Sequence, residues 1–304
     1  MNTVLSIRNL TKFYGKIQAL NNVSFEVPGG SVFGILGPNG SGKNTMLGIV
    51  MDILKPSSGS FELLGKVPDA DTRKGIGTLL ETPNFYHYLS GEKNLRIAAE
   101  IKGKGFNQIE SVLKKVNLYE RRKSKFSTYS LGMKQRLAIA SCLLGDPDVL
   151  VFDEPTNGLD PAGIAEIREL MKTLNRQGKT IIMASHILDE VEKVCTHVAI
   201  VQKGVLKTVG TVKEILATAA TDSVLIEIGT DNITQLQRVI NEMEGIMESH
   251  LADGYLQLIC NENVTAAQVN QYCFEKGIVL NRLNLKRKSL ETTFLELTGK
   301  VSER

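Results

Sequence analysis

The chain carries one glycine-rich segment, Gly37-Pro38-Asn39-Gly40-Ser41-Gly42-Lys43-Asn44-Thr45, between two apolar runs. The run before it, Val32–Leu36, has the composition of a buried strand, and the residues from Thr45 to Leu54 have helical spacing. A strand, a glycine-rich turn and a helix in this order are the context of a phosphate-binding loop. Glycine lets successive backbone N–H groups turn toward one anion, and the following helix N-terminus attracts negative charge. The segment therefore predicts a site for a polyphosphate.

Two neighbouring residues refine this prediction. Lys43 is placed to reach the terminal phosphates as a point charge. The next position is normally Ser or Thr, whose hydroxyl binds magnesium, but here it is Asn44, and Thr45 comes one residue too late to replace that hydroxyl simply. The sequence therefore predicts a nucleoside-triphosphate site with a weakened metal position.

Composition limits the class of protein. The chain has 304 residues, of which 42% are hydrophobic and 23% charged, so it can bury a full core. The net charge of +3 argues against a dedicated nucleic-acid binder. No segment offers the roughly 18 uninterrupted apolar residues that a membrane helix requires. The 4 cysteines form no CxxC pair, which favours buried free thiols in a reducing compartment.

Alternation of apolar strands and helical segments predicts an α/β domain in the first two thirds of the chain. Its expected strands are Val4–Asn9, Asn21–Val27, Val32–Leu36, Phe61–Leu64, Gly75–Leu80, Val149–Phe152, Thr180–Ala184 and Val198–Gln202. Its expected helices are Thr45–Leu54, Asn94–Lys102, Gln108–Val116, Ser130–Leu144, Ala162–Arg176 and Ile187–Val194. The change of character after Thr82 indicates a helical insertion.

A smaller α+β module is predicted to follow, with a boundary near residue 218. Its expected strands are Ser223–Ile228, Tyr255–Cys260 and Ile278–Leu285, and its expected helices are Thr234–Glu242, Ala266–Glu275 and Leu290–Leu297. The module holds no cluster of catalytic residue types. Packing and protein contact are therefore its expected roles.

A second motif indicates hydrolysis. The apolar run Leu150-Val151-Phe152 ends in two carboxylates, Asp153 and Glu154. Asp153 is positioned to orient magnesium or its water shell, and Glu154 can act as general base on the attacking water. An acidic turn after a strand is common by itself, but its distance from the phosphate-binding loop favours a nucleotide-hydrolysing site.

With these two motifs the chain resembles the nucleotide-binding subunits of ABC transporters. The resemblance covers residues 1 to about 215 and rests on several ordered motifs. Residues 37–45 resemble the Walker A loop, and Val149–Glu154 resembles the Walker B strand. Tyr14 falls where the family stacks an aromatic ring on adenine, Asn157–Asp160 matches the D-loop, and His186 matches the switch histidine.

Two further motifs resemble one branch of this family. The signature segment contains Ser130 and Gly132, which suit an anion presented by a partner subunit, but Leu131 and Met133 depart from the usual glycine and glutamine. The glutamine loop carries Glu81, an anionic oxygen that can bind magnesium or its water. These features, together with the segment from Lys288 to Gly299, resemble the bacitracin, lantibiotic and drug exporters.

The resemblance implies a P-loop NTPase ABC fold with an antiparallel edge subdomain and a helical insertion, plus a small C-terminal α+β domain. The implied boundaries are 1–217 for the ABC domain, about 82–136 for the helical subdomain, and 218–304 for the accessory domain. ATP and Mg²⁺ are the implied ligands, with Asn44, Asp153 and Glu81 at the metal and Asp160 near the nucleotide. Catalytic roles fall to Glu154, His186, Asp153 and Glu81.

The implied partners are an integral membrane permease subunit on a separate chain and a second ATP-binding subunit, most simply an identical copy. A coupling helix of the permease would dock on the helical insertion through the loop from Glu81 to Asn94. No nucleic acid is expected, and the expected location is cytoplasmic, peripheral on the inner face of the cell membrane. The expected function is to power the export of an antimicrobial peptide, antibiotic or similar amphiphile.

Two alternatives remain open from the sequence. One is a soluble ABC ATPase that acts on ribosomes or DNA, which the single cassette and the absence of a strongly basic arm disfavour. The other is a subunit that binds ATP but hydrolyses it poorly, because Asn44 replaces the hydroxyl at the magnesium position.

Overall fold

The computed structural model describes residues 3–80, 84–218, 223–252, 254–261 and 263–286, together with Leu290 and Phe294. The chain divides into two compact units, an N-terminal unit of residues 1–212 and a C-terminal unit of residues 213–304. The predicted Glu81 metal ligand lies outside the described residues, as does most of the helix predicted at Leu290–Leu297.

The N-terminal unit alternates strands and helices along the sequence. Its strands are β1 (Thr3–Tyr14), β2 (Ile17–Pro28), β3 (Val32–Leu36), β4 (Ser58–Leu63), β5 (Ile76–Leu79), β6 (Val149–Asp153), β7 (Thr180–Ser185), β8 (His197–Gln202) and β9 (Val205–Thr211). Its helices are α1 (Lys43–Val50), α2 (Ala70–Lys74), α3 (Gly91–Lys102), α4 (Ile109–Lys115), α5 (Leu131–Leu143), α6 (Pro161–Arg176) and α7 (Leu188–Val194). Helix α8 (Val212–Thr218) begins at its last residue.

A mostly parallel sheet forms the centre of this unit, with the strand order β5-β6-β7-β3-β8-β9. All pairings are parallel except that of β8 with β9. Strands β3, β6 and β7 are buried at every residue, as expected for strands covered on both faces. Because the carboxyl ends of parallel strands meet at one edge, the residues that follow β3, β6 and β7 are brought together.

A second, antiparallel sheet has the order β2-β1-β4. Its inward side chains share one hydrophobic core with the parallel sheet and with α1. Phe25 of β2 stacks on Phe33 of β3 with ring centroids 5.4 Å apart. This sheet corresponds to the predicted antiparallel edge subdomain, and its first strand continues as far as Tyr14.

Helices α3, α4 and α5 lie between β5 and β6 in the sequence and pack against one another. Ser90 caps α3 by accepting a hydrogen bond from the Lys93 N–H, and Ser130 caps α5 in the same way from the Met133 N–H. The end of α5 also packs against β5, where Gly77 leaves room for the backbone of Cys142. The helical insertion therefore shares α5 with the nucleotide-binding core.

The C-terminal unit is a β-α-β-β-α-β module. Its elements are β10 (Ser223–Gly229), α9 (Ile233–Ile240), β11 (Ile246–Ala252), β12 (Tyr255–Asn261), α10 (Ala266–Glu275) and β13 (Arg282–Lys286). The antiparallel strand order is β11-β12-β10-β13. Apolar residues of both helices and of alternate strand positions form a separate core, which includes Ile226, Leu236, Leu258 and Val269. The predicted α+β character is confirmed, and β11 is an element that the sequence pattern did not predict.

The predicted helices and strands are present in the described residues, with boundaries shifted by a few positions. The last predicted strand, Ile278–Leu285, is wrong at its beginning, because Ile278 packs into the core and β13 starts at Arg282. Helices α2 and α8 and strand β9 were not expected. Each is short, and β9 is half exposed, so neither length nor burial gave them a strong sequence pattern.

The four cysteines are buried free thiols, as the sequence predicts. Burial raises the pKa of Cys142 to about 12 and that of Cys260 to about 11. Because the thiolate is the nucleophile, these side chains are structural and poorly reactive at neutral pH.

Candidate functional site

The glycine-rich segment joins the end of β3 to the start of α1. Gly40 and Gly42 adopt positive φ values of 78° and 105°, which glycine adopts readily and residues with a side chain only at an energetic cost. A Cβ on Gly42 would lie 2.6 Å from the Ala19 carbonyl oxygen and 2.7 Å from Leu20 Cδ2. The Ser41 hydroxyl is buried within this loop and has no hydrogen-bond partner among the described residues. The Ser41 hydroxyl can therefore donate a hydrogen bond to an anion bound in this loop.

Lys43 lies inside this loop with only 3% of its surface exposed. Its Nζ donates to the carbonyl oxygens of Gly37 at 2.7 Å and Pro38 at 3.2 Å, and it lies 3.8 Å from Glu154 Oε1. Burial lowers the pKa of Lys43, while Glu154 and Asp153 act in the opposite direction and favour the charged form. A desolvated ammonium at this position is well suited to meet phosphate oxygens.

Asn44 and Asp153 are in direct contact. The Asn44 Nδ2 donates to Asp153 Oδ2 at 2.8 Å, so the amide and the carboxylate lie side by side where β6 ends and α1 begins. Carboxylate and amide oxygens are ligands that Mg²⁺ accepts, so the residues present fit a divalent cation. Because the Asn44 Nδ2 donates to Asp153, the Asn44 Oδ1 is the side-chain atom that can bind a cation.

Glu154 and His186 form the second contact of the site. Glu154 follows β6, and its Oε2 lies 2.9 Å from His186 Nδ1, one residue beyond the end of β7. Glu154 has a positive φ of 47°, an uncommon conformation for a residue with a side chain. Its N–H donates to the Ala184 carbonyl oxygen at 3.0 Å, which holds this backbone against β7. A carboxylate and an imidazole are therefore fixed beside the Lys43 ammonium.

A cavity of about 450 Å³ extends from Tyr14 to Asp153 and is also lined by Asn44 and Thr45. Tyr14 is 44% exposed, and Lys12 Nζ lies 5.1 Å from the centre of its ring. The remaining lining includes the apolar residues Ile53, Leu54 and Leu80. An aromatic ring, apolar side chains and a few polar groups in one lining give this cavity the character of a nucleotide site.

Comparisons with known proteins agree with this geometry. A family model described as ABC transporter matches residues 20–157. YhcH of Bacillus subtilis, an uncharacterized ABC transporter ATP-binding protein, is 38% identical over 100% of this chain and 98% of its own length. The bacitracin transport ATP-binding protein BcrA of Enterococcus faecalis is 32% identical over 98% of this chain and 97% of its own length. The chain belongs to the ABC transporter family.

The ABC fold is also found among solved structures. The ATP-binding cassette MJ0796, solved as a dimer in a post-hydrolysis state bound to ADP and Pi, is 27% identical with a TM-score of 0.61. The match covers 68% of this chain and 98% of that cassette. The predicted resemblance to ABC transporter subunits, including bacitracin exporters, is confirmed, as is the fold class. The chain is an ABC ATP-binding subunit of a transporter, and its ATPase activity is coupled to transport.

The signature residues of this ABC subunit lie elsewhere on the N-terminal unit. Ser130 caps the start of α5, and Gly132 lies two residues further, where a Cβ would be 3.9 Å from Leu159 Cδ2. Asp160 caps α6 by accepting a hydrogen bond from the Gly163 N–H at 2.9 Å. None of these three residues lines the cavity that contains Tyr14 and Asp153. Within the described residues, one copy of the chain therefore does not bring the signature segment and the phosphate-binding loop into one cavity.

Two buried residues beside the site were not anticipated from the sequence. Thr156, in the turn after Glu154, donates a hydrogen bond to the carboxylate of Glu190 on α7. Glu190 comes four residues after His186, in the first turn of α7. That spacing was available from the sequence, but glutamate in a short amphipathic helix ordinarily faces solvent.

In the part of the chain that the structure describes, no helix combines the length and the apolar character that a bilayer crossing needs.

We expect Gly42→Ala to weaken ATP binding by at least about 10-fold, because the left-handed backbone is unfavourable to alanine and the added methyl group meets the Ala19 carbonyl. Binding of a fluorescent ATP analogue, with the thermal unfolding midpoint alongside, measures the effect. Gly65→Ala is the matched control, because Gly65 has a φ of 75° and no atom lies within 4 Å of the position that a Cβ would take there. Equal binding of the ATP analogue by the two variants would contradict the proposed role of the glycine-rich loop in phosphate binding.

Proposed function

We propose that this ABC subunit powers the export of an antimicrobial peptide, antibiotic or similar amphiphile through a separate membrane-spanning subunit. The observation that carries the proposal is the cluster of Lys43, Glu154 and His186 in a chain similar to BcrA from end to end. That similarity spans 98% of this chain and so includes the C-terminal unit as well as the cassette. The name of BcrA states bacitracin transport, and this substrate class is proposed here for the present chain.

The proposed hydrolytic roles follow from the contacts of the site. Lys43 binds the terminal phosphates, since its buried ammonium lies at the mouth of the glycine-rich loop. Glu154 accepts a proton from the attacking water, and His186 orients the Glu154 carboxylate through the 2.9 Å contact. Tyr14 stacks on adenine at the opposite end of the cavity, and Pro38, Asn39 and Thr45 belong to the loop that surrounds the phosphates.

The proposed metal is Mg²⁺. Asp153, Asn44 and, from the sequence, Glu81 would hold it. When bound, this ion neutralises the developing charge on the phosphate oxygens. Asp153 and Asn44 are adjacent through the 2.8 Å hydrogen bond between their side chains.

A second copy of the chain is proposed to complete the nucleotide site. The signature residues Ser130 and Gly132 lie outside the cavity of their own chain. Leu131 between them is 48% exposed. A partner that places its Ser130 and Gly132 over the phosphates would cover this surface, with Asp160 of the D-loop at the same seam. The dimeric state of MJ0796 supports this arrangement.

The membrane subunit is proposed to dock on the helical insertion. A cavity of about 760 Å³ lies beside α3 and has Tyr88, Leu89 and Ile97 in its lining. Its lining also holds one carboxylate, that of Glu92, and four cationic side chains that form no salt bridge within the described residues: Lys93, Arg96, Lys123 and Lys125. An apolar lining with cations around it suits a helical segment that carries both apolar and acidic residues. Attachment there would hold the subunit at the cytoplasmic face of the membrane.

We expect Glu154→Gln to lower the turnover number by about 100-fold or more while ATP binding is retained, because the general base is lost and the glycine-rich loop is intact. Phosphate release measures turnover. Size-exclusion chromatography with ATP and Mg²⁺ measures the dimer that forms when bound ATP is not hydrolysed. Glu100→Gln on the exposed face of α3 is the control for loss of a carboxylate. Undiminished turnover in Glu154→Gln would contradict the proposed role.

We expect cells that lack this chain to become more sensitive to amphiphilic peptide antibiotics such as bacitracin, and the intact gene to restore resistance. The double variant Lys93→Glu/Arg96→Glu should fail to restore it, because reversed charge opposes an acidic docking segment. Phosphate release by the purified variant separates failed docking from lost turnover, and Lys66→Glu is the surface control. Unchanged sensitivity in the deletion would contradict the substrate class, and full rescue by the double variant would contradict the docking surface.

A second candidate function is supported by the contact between Asn44 and Asp153. This contact commits the amide to the carboxylate, and asparagine is longer than the usual serine or threonine, so Asn44 would hold a divalent cation less well than that hydroxyl. The subunit would then bind ATP firmly and hydrolyse it slowly, acting mainly through ATP-dependent association.

If this candidate is correct, Asn44→Ser raises turnover with Mg²⁺ on the order of 10-fold, which corresponds to about 1.4 kcal/mol in the barrier. Steady-state phosphate release at saturating ATP measures it, with Asn107→Ser in the helical insertion as a surface control. Equal turnover by the natural chain and Asn44→Ser would exclude the impairment.

A further inference from the structure

Thr156 and Glu190 form a buried polar contact behind the candidate catalytic residues. Thr156 is 3% exposed and Glu190 is 5% exposed. The Thr156 Oγ1 donates a hydrogen bond to Glu190 Oε2. The two residues belong to different segments: Thr156 lies in the turn after β6, and Glu190 lies in α7 after β7.

Each member of this pair is attached to one candidate catalytic residue. Thr156 follows Glu154 by two residues within a tight turn, in which the Asn157 N–H donates to the Glu154 carbonyl oxygen at 3.1 Å. Glu190 lies in the first turn of α7, and that helix begins two residues after His186. A bond between Thr156 and Glu190 therefore limits how far the Glu154 segment can move relative to the His186 segment.

The energetics of burial make this contact costly to break. A carboxylate removed from water is unfavourable unless it is paired or hydrogen-bonded, and a hydroxyl bonded to a carboxylate makes one of the stronger hydrogen bonds. Loss of the Thr156 hydroxyl would leave the Glu190 oxygen buried without this donor, which penalises the native arrangement of both segments. A shift of one segment away from the other would relieve that penalty.

We propose that Thr156 and Glu190 are a positioning pair that fixes Glu154 relative to His186 during ATP hydrolysis. The proposal rests on the hydrolytic roles proposed for Glu154 and His186. The backbone bond from the Glu154 N–H to the Ala184 carbonyl oxygen, at 3.0 Å, fixes the start of the turn. The Thr156–Glu190 contact fixes the other side, so the Glu154 carboxylate is held from both ends of its segment.

The test is Thr156→Val, which removes the hydroxyl and keeps the branched shape. We expect the turnover number to fall by about 10- to 100-fold, as small misplacements of catalytic groups cause, while KM for ATP stays within about 2-fold. Thr156→Ser keeps the hydroxyl and should restore most of the turnover. Phosphate release gives the turnover and KM, and a fluorescent ATP analogue gives the affinity of the full chain.

Thr72→Val is the matched control. Thr72 is also buried and also donates its hydroxyl to a carboxylate, that of Asp69 at 2.6 Å. It lies in α2, ahead of β5 in the chain, and so at the opposite edge of the sheet from the residues that follow β6 and β7. Asp69, unlike Glu190, is exposed, so this variant controls for the loss of a buried threonine hydroxyl: it should lower the unfolding midpoint without lowering turnover. If Thr156→Val lowers only the unfolding midpoint, as Thr72→Val does, the positioning role is wrong.

A double variant keeps the test informative where Thr156→Val alone is unstable. Glu190→Gln retains an acceptor and removes the buried charge, so the penalty of an unpaired carboxylate disappears. If the pair acts through one contact, Thr156→Val/Glu190→Gln loses no more turnover than Thr156→Val alone. Additive losses would overturn the proposal. Glu154→Gln is assayed in parallel: full turnover by that variant would overturn the hydrolytic roles themselves, which is a different result from normal turnover by Thr156→Val alone.

Discussion

The structure of the candidate site depends on the parallel pairing of β3, β7 and β6. Register places Leu36 of β3 opposite Ser185 of β7, and Asp153 of β6 opposite Ala184. The carboxyl ends of the three strands therefore lie side by side, and a different chemical group follows each strand. Ammonium, carboxylate and imidazole meet because three buried strands end together. The hydrogen bonds of the sheet fix the spacing of these three strand ends.

Burial of these groups is unfavourable for their charged forms, and each charge is stabilised by its neighbours in the site. Lys43 is buried, and desolvation alone would favour its neutral form. Two carbonyl oxygens and the nearby carboxylates of Glu154 and Asp153 stabilise its charge. The same ammonium offsets part of the repulsion between those carboxylates and an incoming polyphosphate. The positions of Lys43 and Glu154 are thus coupled before any nucleotide arrives.

The sequence was sufficient for the main features of this site because they depend on local patterns. Apolar strands such as Val149–Phe152 are recognisable from composition, and the motifs that contain Lys43 and Glu154 each follow such a strand. His186 was indicated by the resemblance to ABC subunits. Long-range contacts were not accessible in the same way. The Asn44–Asp153 bond joins residues 109 positions apart, and Thr156–Glu190 joins two segments whose separation only the folded sheet determines. Short or half-exposed elements such as β9 were missed because they are only partly buried. Without full burial, the alternation of apolar and polar residues is weak.

The backbone of Glu154 connects stability with catalysis. A non-glycine residue at a φ of 47° costs of order 1 kcal/mol or more, so this conformation persists only if its surroundings impose it. The bond to the Ala184 carbonyl imposes it on one side, and the buried turn that contains Thr156 imposes it on the other. A relaxed turn would move the Glu154 carboxylate away from His186 and gain backbone stability. The site is therefore held in a conformation that the isolated segment would not choose, and the contacts that hold it lie outside the motifs that identify the family.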